Sequence, residues 1–377
     1  MRKIQMVDLA TQYQHMKPEV DEALQAVIDS CGFINGGPVK DFARELADYL
    51  QVHHVTPCGN GTDALQIALM ALDVQPGDEV ITTPFTFVST AEVIALLQLK
   101  PVFVDIQSDT FNIDVKQIES VITPKTKAII PVHLFGQAAD MAPLMELARQ
   151  HNIAVIEDNA QATGGRYTFP DGTEKMLGSI GDIGCTSFYP TKNLGGYGDG
   201  GALSANDENL AHAIHLIANH GSDRKYYYDA IGVNSRLDTL QAAILRAKLK
   251  RLDAYNANRR KAADQYDALF AENPALTTPY RAPYAYHVFH QYTLRIVDKR
   301  DDLQQYLREH DIPSMIYYPV PLHISKAYAK YGYQPGDFPV SEQMAKEVIS
   351  LPMHSELDEE QIHYIAETVQ SFTNSKL

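Results

Sequence analysis

Three short stretches of this chain gather residue types that do chemistry. The run Ile153-Ala154-Val155-Ile156-Glu157-Asp158 is an apolar segment ending in two acids. A carboxylate at the end of a buried strand needs a positive or hydrogen-bonding partner, because an unpaired buried charge is costly. A metal, a substrate amine or a protonated ring nitrogen would serve Asp158; so would the N–H groups of a following turn. Lys192 stands 34 residues later in Ser187-Phe188-Tyr189-Pro190-Thr191-Lys192-Asn193, ahead of the glycine-dense Gly195–Gly201. A lysine that is desolvated or held near cations loses its proton near neutral pH and attacks carbonyls. The third stretch, Gly59-Asn60-Gly61-Thr62-Asp63-Ala64-Leu65, opens a helical pattern. Its glycines allow close backbone approach, and a helix N-terminus presents free N–H groups to an anion. Thr62 adds a hydroxyl there or simply caps the helix. Taken alone, the segment reads equally as a phosphate loop and as an ordinary helix start.

The elements around these residues alternate between strand and helix. Apolar runs at Glu79–Thr82, Pro101–Asp105, Lys127–Val132, Ile153–Glu157, Ile183–Phe188 and Ala202–Ser204 read as strands. Helical spacing occupies Thr90–Gln98 and Met141–Gln150 between them. The alternation predicts an α/β fold, with a mainly parallel central sheet flanked by helices. Ligands in such sheets sit beyond the carboxyl ends of the strands, where Asp158 and Lys192 fall. A helix capped by Asp207 and a longer one over Ser235–Asn256 follow. The basic residues Arg246, Lys248, Lys250, Arg251, Arg259, Arg260 and Lys261 read as a solvated helix surface. From about residue 260, an aromatic strand over His287–Ile296 and helices over Asp301–Glu309 and Val340–Ser350 predict a smaller C-terminal α+β domain. The expected division is 16–250 for the large domain and 251–377 for the small one, joined by 1–15.

Composition narrows the class. The 377 residues are 45% hydrophobic and 21% charged, which is globular. Acidic residues outnumber basic ones by 47 to 32, a net charge of −15 that argues against a nucleic-acid-coating surface. No run of about 18 uncharged apolar residues can span a bilayer, and Met1–Asp8 lacks the apolar stretch of a secretory leader. Cys31, Cys58 and Cys185 are too dispersed for a disulfide framework or a cysteine metal site. A cytoplasmic location and no metal are expected. His212, His215 and His220 read as surface histidines. Gly196-x-Gly198-x-x-Gly201 has the form of the dinucleotide fingerprint, but Ala202-Leu203-Ser204 after it is a strand pattern where the fingerprint requires a helix. A nucleotide-sugar dehydrogenase is therefore disfavoured.

Together, the acid, the later lysine and the upstream glycine loop resemble a fold-type-I pyridoxal-phosphate (PLP) enzyme. The wording of the motifs is similar to that of the DegT/StrS-type sugar aminotransferases. It is carried by Gly59–Leu65, Gly77-Asp78-Glu79-Val80-Ile81, Glu157-Asp158-Asn159-Ala160-Gln161, Ser187–Gly195 and Gly232-Val233-Asn234-Ser235-Arg236-Leu237. The resemblance implies that Lys192 holds PLP as an internal aldimine and moves protons, while Asp158 keeps the pyridine nitrogen protonated. It implies phosphate contacts from Gly61, Thr62 and Ser187, Gln161 near the cofactor's oxygen, and Phe87 stacked on the ring. Asn234 would contact the phosphate from a neighbouring subunit, with Arg236 approaching the substrate from there, so a homodimer with shared sites is implied. Relatives that are dehydratases carry histidine in place of this lysine, and the lysine here points to transamination.

The inferred reaction moves an amino group from glutamate to a keto group of a nucleotide-linked hexose, for surface-polysaccharide synthesis. The stretches Asn234–Ile244 and Tyr318-Pro319-Val320-Pro321-Leu322 resemble the branch acting at C3 of UDP-2-acetamido-2-deoxy-3-oxo-glucuronate. That branch commonly has histidine before the Tyr-Pro pair, where this chain has Tyr317. Tyr317 and Tyr318 are expected at the substrate, with Arg236 as partner for a sugar carboxylate or diphosphate. The alternative substrate is a dTDP-linked 3-keto or 4-keto 6-deoxyhexose. A non-catalytic PLP-fold regulator is a further alternative.

Overall fold

Strands buried on both faces need no polar alternation, and the apolar runs of this sequence form such strands. The computed structural model describes residues 2–376; Met1 and Leu377, the outermost residues of the two terminal segments, lie outside it. Seven strands form the main sheet in the order 54–58, 201–205, 183–187, 154–158, 126–129, 79–82, 100–103. Gly201–Ala205 runs antiparallel to both of its neighbours, and the other contacts in the sheet are parallel. Neighbouring residues feed opposite cores. Val80, Ala128 and Ile156 pack under the helices Gly61–Ala71 and Glu208–Ala218. Ile81, Ile129 and Val155 pack on the other face with Leu144 and Ala148 of the helix Met141–His151. The expected α/β architecture with a mainly parallel sheet is the one found.

A three-stranded antiparallel sheet, in the order 276–277, 292–296, 348–351, forms a second layer with the helices Arg300–Glu309 and Glu359–Lys376. Ile4 from the N-terminal segment enters its core beside Phe289, Tyr292 and Phe372. The two sheets are linked through Asp105, whose carboxylate accepts from the N–H groups of Val340 and Ser341 at 2.9 Å. Those groups open the helix Pro339–Glu347, so the acid also complements its dipole.

Several elements depart from the expectations above. The single helix over Ser235–Asn256 is two, Thr239–Leu249 and Leu252–Phe270. The first packs on the helices Leu9–Ser30 and Gly37–Leu50, the second on the C-terminal helix, so the chain turns at Lys250–Arg251 to serve two layers. The expected helix to Ser350 stops at Glu347, because Val348–Leu351 pairs with Tyr292–Arg295 as a strand. His287–Gln291 is not strand: Phe289 has φ +45°, and the segment bonds instead to the backbone of Phe135 and Gly136. The basic surface is also misread in part. Lys248 is 1% exposed, with its ammonium over the Tyr197 ring. Arg259 is 3% exposed and donates to the carbonyls of Phe289, His290 and Met353. Helical periodicity does not reveal these burials, because the surfaces that cover both residues come from remote segments.

Candidate active site

The carboxyl end of the 154–158 strand presents Asp158, nearly buried. Its N–H donates to Pro131 O at 2.9 Å and its carbonyl accepts from His133 N–H at 3.1 Å. The carboxylate accepts from Thr90 Oγ1 at 2.8 Å and from Ala160 N–H at 3.2 Å. Burial raises its pKa, and the Thr90 and Ala160 bonds and the nearby Lys192 charge offset only part of that. The side chain is thus an acid short of a cationic partner.

Lys192 follows the 183–187 strand, in a turn closed by its own N–H donating to Tyr189 O at 2.8 Å. Burial lowers its ammonium pKa to about 8, against the pull of Asp158. About a tenth of the amine is therefore unprotonated at pH 7, far more than in a solvated lysine, and that is the form that attacks a carbonyl. Gln161 stands one turn beyond Asp158 with its amide fixed at both ends. Its Oε1 accepts from Phe135 N–H at 2.8 Å, and its Nε2 donates to the Tyr318 hydroxyl at 3.0 Å. The Tyr318 ring lies 6.4 Å from that of Phe87, which is 54% exposed.

At the other end, the helix Gly61–Ala71 is capped by Asn60, whose side chain accepts from Asp63 N–H at 2.8 Å. The helix itself cannot pair its first N–H groups, at Gly61 and Thr62. Thr62 Oγ1 lies 2.8 Å from Ser89 Oγ. A Cβ at Gly61 would come within 2.7 Å of Ser187 Cβ, so the loop and the strand end meet too closely for any side chain there. Backbone N–H groups and small hydroxyls at one end, with an acid and a low-pKa lysine at the other, suit a ligand that carries a phosphate, a basic ring nitrogen and a carbonyl.

The structure brings Lys192 within electrostatic reach of Asp158, joins Gln161 to Tyr318, and sets Gly61 against Ser187. Asn234 is exposed, and Arg236 and Tyr317 are half-buried. Among the described residues, the Asn234 and Arg236 side chains make no hydrogen bond to Lys192, Asp158 or Gln161. Their segment is anchored through Ser235, which accepts from Gly59 N–H at 2.9 Å and donates to Asp63 Oδ2 at 2.6 Å. Sequence reasoning passed over Thr90 and Ser89, which open the helix Ser89–Leu96. A hydroxyl at a helix start reads as a cap, and only the packing turns these two toward Asp158 and Thr62.

The model of the DegT/DnrJ/EryC1/StrS aminotransferase family matches residues 14–370. The chain belongs to that family. Among relatives of this aminotransferase, the "Pleiotropic regulatory protein" of Geobacillus stearothermophilus is 49% identical, with 98% of each chain covered. The UDP-2-acetamido-2-deoxy-3-oxo-D-glucuronate aminotransferase of Pseudomonas aeruginosa is 44% identical over 96% of this chain and 98% of its own. The crystal structure of S. venezuelae DesV in complex with a ketimine intermediate superposes with a TM-score of 0.95 at 36% identity, covering both chains entirely.

Proposed function

We propose that this aminotransferase uses PLP to move the amino group of glutamate to C3 of UDP-2-acetamido-2-deoxy-3-oxo-glucuronate. The observation that carries the reading is the pairing of a low-pKa Lys192 with a buried, under-neutralised Asp158. Bound PLP supplies an electron-withdrawing ring that makes the carbon bearing an amine acidic. Lys192 Nζ would capture the cofactor through its aldehyde and carry the proton between carbons. Asp158 would hold the proton on the ring nitrogen, and Gln161 Nε2 would face the cofactor's ring oxygen. The N–H groups of Gly61 and Thr62 and the Ser187 hydroxyl would bind the phosphate, and Phe87 would cover the ring and exclude water.

The 44% identity to the Pseudomonas enzyme supports the sugar. Arg236, Tyr317 and Tyr318 would meet the substrate, Arg236 as partner of its carboxylate or diphosphate. Asn234 and Arg236 would serve the site of a second copy in a homodimer. The exposure of Asn234, in the segment that follows the exposed Tyr226, Tyr227, Tyr228 and Ile231, supports that arrangement. The division into 16–250 and 251–377, with 1–15 joining the smaller part, is supported by Ile4 in that part's core. A cytoplasmic location agrees with the free state of Cys31, Cys58 and Cys185.

The name of the Geobacillus relative favours a second reading, a regulator. Amine transfer from labelled glutamate across a panel of UDP- and dTDP-linked keto sugars decides. Transfer to the 3-keto glucuronate supports the proposal, transfer to a dTDP sugar alone replaces the substrate, and failure with every sugar despite bound PLP favours the regulator.

A further inference from the structure

Glu157 and Asp158 are consecutive at one strand end, so their side chains leave on opposite faces of the sheet. Asp158 turns toward Thr90. Glu157 turns away, fully buried, into the loop 178–181. There its Oε1 accepts from the N–H groups of Ile180 at 2.6 Å and Gly181 at 2.7 Å. Its Oε2 accepts from Gly178 N–H at 2.9 Å and from His133 Nε2 at 2.9 Å. His133 Nδ1 accepts from Ala139 N–H at 3.1 Å, which places the ring's proton on Nε2. The main chain of the same residue grips the other acid, with its N–H donating to Asp158 O at 3.1 Å. His133 therefore holds Glu157 by its ring and Asp158 by its backbone.

We propose that His133 and Glu157 are positioning residues for Asp158, locking the strand end so that its carboxylate meets the cofactor's ring nitrogen in one orientation. A core position filled for packing alone would carry an apolar side chain, since a buried carboxylate is costly until every lone pair is satisfied. Glu157 has four donors, whereas the Asp158 carboxylate has two. The aim of Asp158 therefore depends on its backbone, and that backbone is held through its neighbour. The inference rests on the PLP reading above.

The test titrates PLP into cofactor-free wild type, His133→Ala, His133→Gln and Glu157→Gln. It records the dissociation constant, the melting temperature of each cofactor-free protein, and the NMR shift of an isotope-labelled ring nitrogen. Glutamine can accept at Oε1 and donate at Nε2 as this histidine does, so His133→Gln is the rescue. The expected result is a loss in PLP affinity of roughly tenfold or more for His133→Ala. The ring nitrogen moves toward its unprotonated shift, and His133→Gln recovers most of both. Wild-type affinity and ring shift in His133→Ala overturn the proposal, as does a loss that follows melting temperature through all variants with the ring shift unmoved. If His133→Ala does not fold, Glu157→Gln is judged by the same criteria. Wild type that binds no PLP refutes the cofactor reading instead.

Discussion

The Thr90 hydroxyl donates to Asp158 Oδ2 at 2.8 Å, a buried bond between residues 68 apart in sequence. Thr90 also lies 3.4 Å from Thr86 Oγ1 and from the Phe87 carbonyl, so its hydroxyl belongs to a small polar network above the strand end. The bond leaves Asp158 Oδ1 with Ala160 N–H alone, at 3.2 Å, and open to a further donor.

Thr90→Val keeps the shape and removes the donor. The buried carboxylate then loses a bond worth about 1.5–3 kcal/mol, which in this acid favours the neutral form. The expected outcome is PLP affinity lower by roughly tenfold, with a melting temperature lower by only a few degrees. Absorbance titration of the cofactor-free protein measures it, and unchanged affinity would remove Thr90 from the site.

The rate of PLP capture by the cofactor-free enzyme should rise with pH and level off above about 8, where burial has placed the Lys192 pKa. The sign follows from the reacting form: below that pH the amine is protonated and cannot attack, and above it the amine is free. A solvated lysine would keep gaining rate toward about 10.4. Stopped-flow absorbance across pH distinguishes the two profiles. Borohydride followed by peptide mapping should label Lys192, and Lys192→Ala should fold without that label.

Gly61→Ala tests the contact between loop and strand. Alanine favours the helix, yet its Cβ would stand 2.7 Å from Ser187 Cβ. Overpacking of this kind destabilises by about 1–3 kcal/mol. Chemical denaturation should register that loss, and phosphate-dependent PLP binding should fall further than binding of the unphosphorylated aldehyde. Equal losses for the two ligands would move the phosphate site elsewhere.

Arg259→Ala strips the donors from the carbonyls of Phe289, His290 and Met353. Three unpaired buried acceptors predict a loss of about 3 kcal/mol or more, seen as a lower denaturation midpoint. The guanidinium pKa is already lowered to about 10 by burial. A loss under about 0.5 kcal/mol, as at exposed positions, would mean that water takes over those carbonyls.

The sequence by itself determined the strand–helix alternation, the seat of Asp158 at a strand end, that of Lys192 beyond the 183–187 strand, and the glycine loop Gly59–Gly61 ahead of a helix. Those features are local: a doubly buried strand must be apolar throughout, and a helix start near an anion needs small residues. The family could be read from the same motifs. What the tertiary structure decided is which groups surround them. Thr90 and His133 come to the 157–158 strand end from 68 and 24 residues away. Lys248 and Arg259 look like surface charges until the N-terminal helix and the 289 and 353 segments close over them. Composition shows a chain with net charge −15, while the anion site proposed for it would depend on backbone N–H groups that every residue but proline possesses. A donor that does not depend on side-chain identity leaves no mark in the sequence, and only the fold shows where it points.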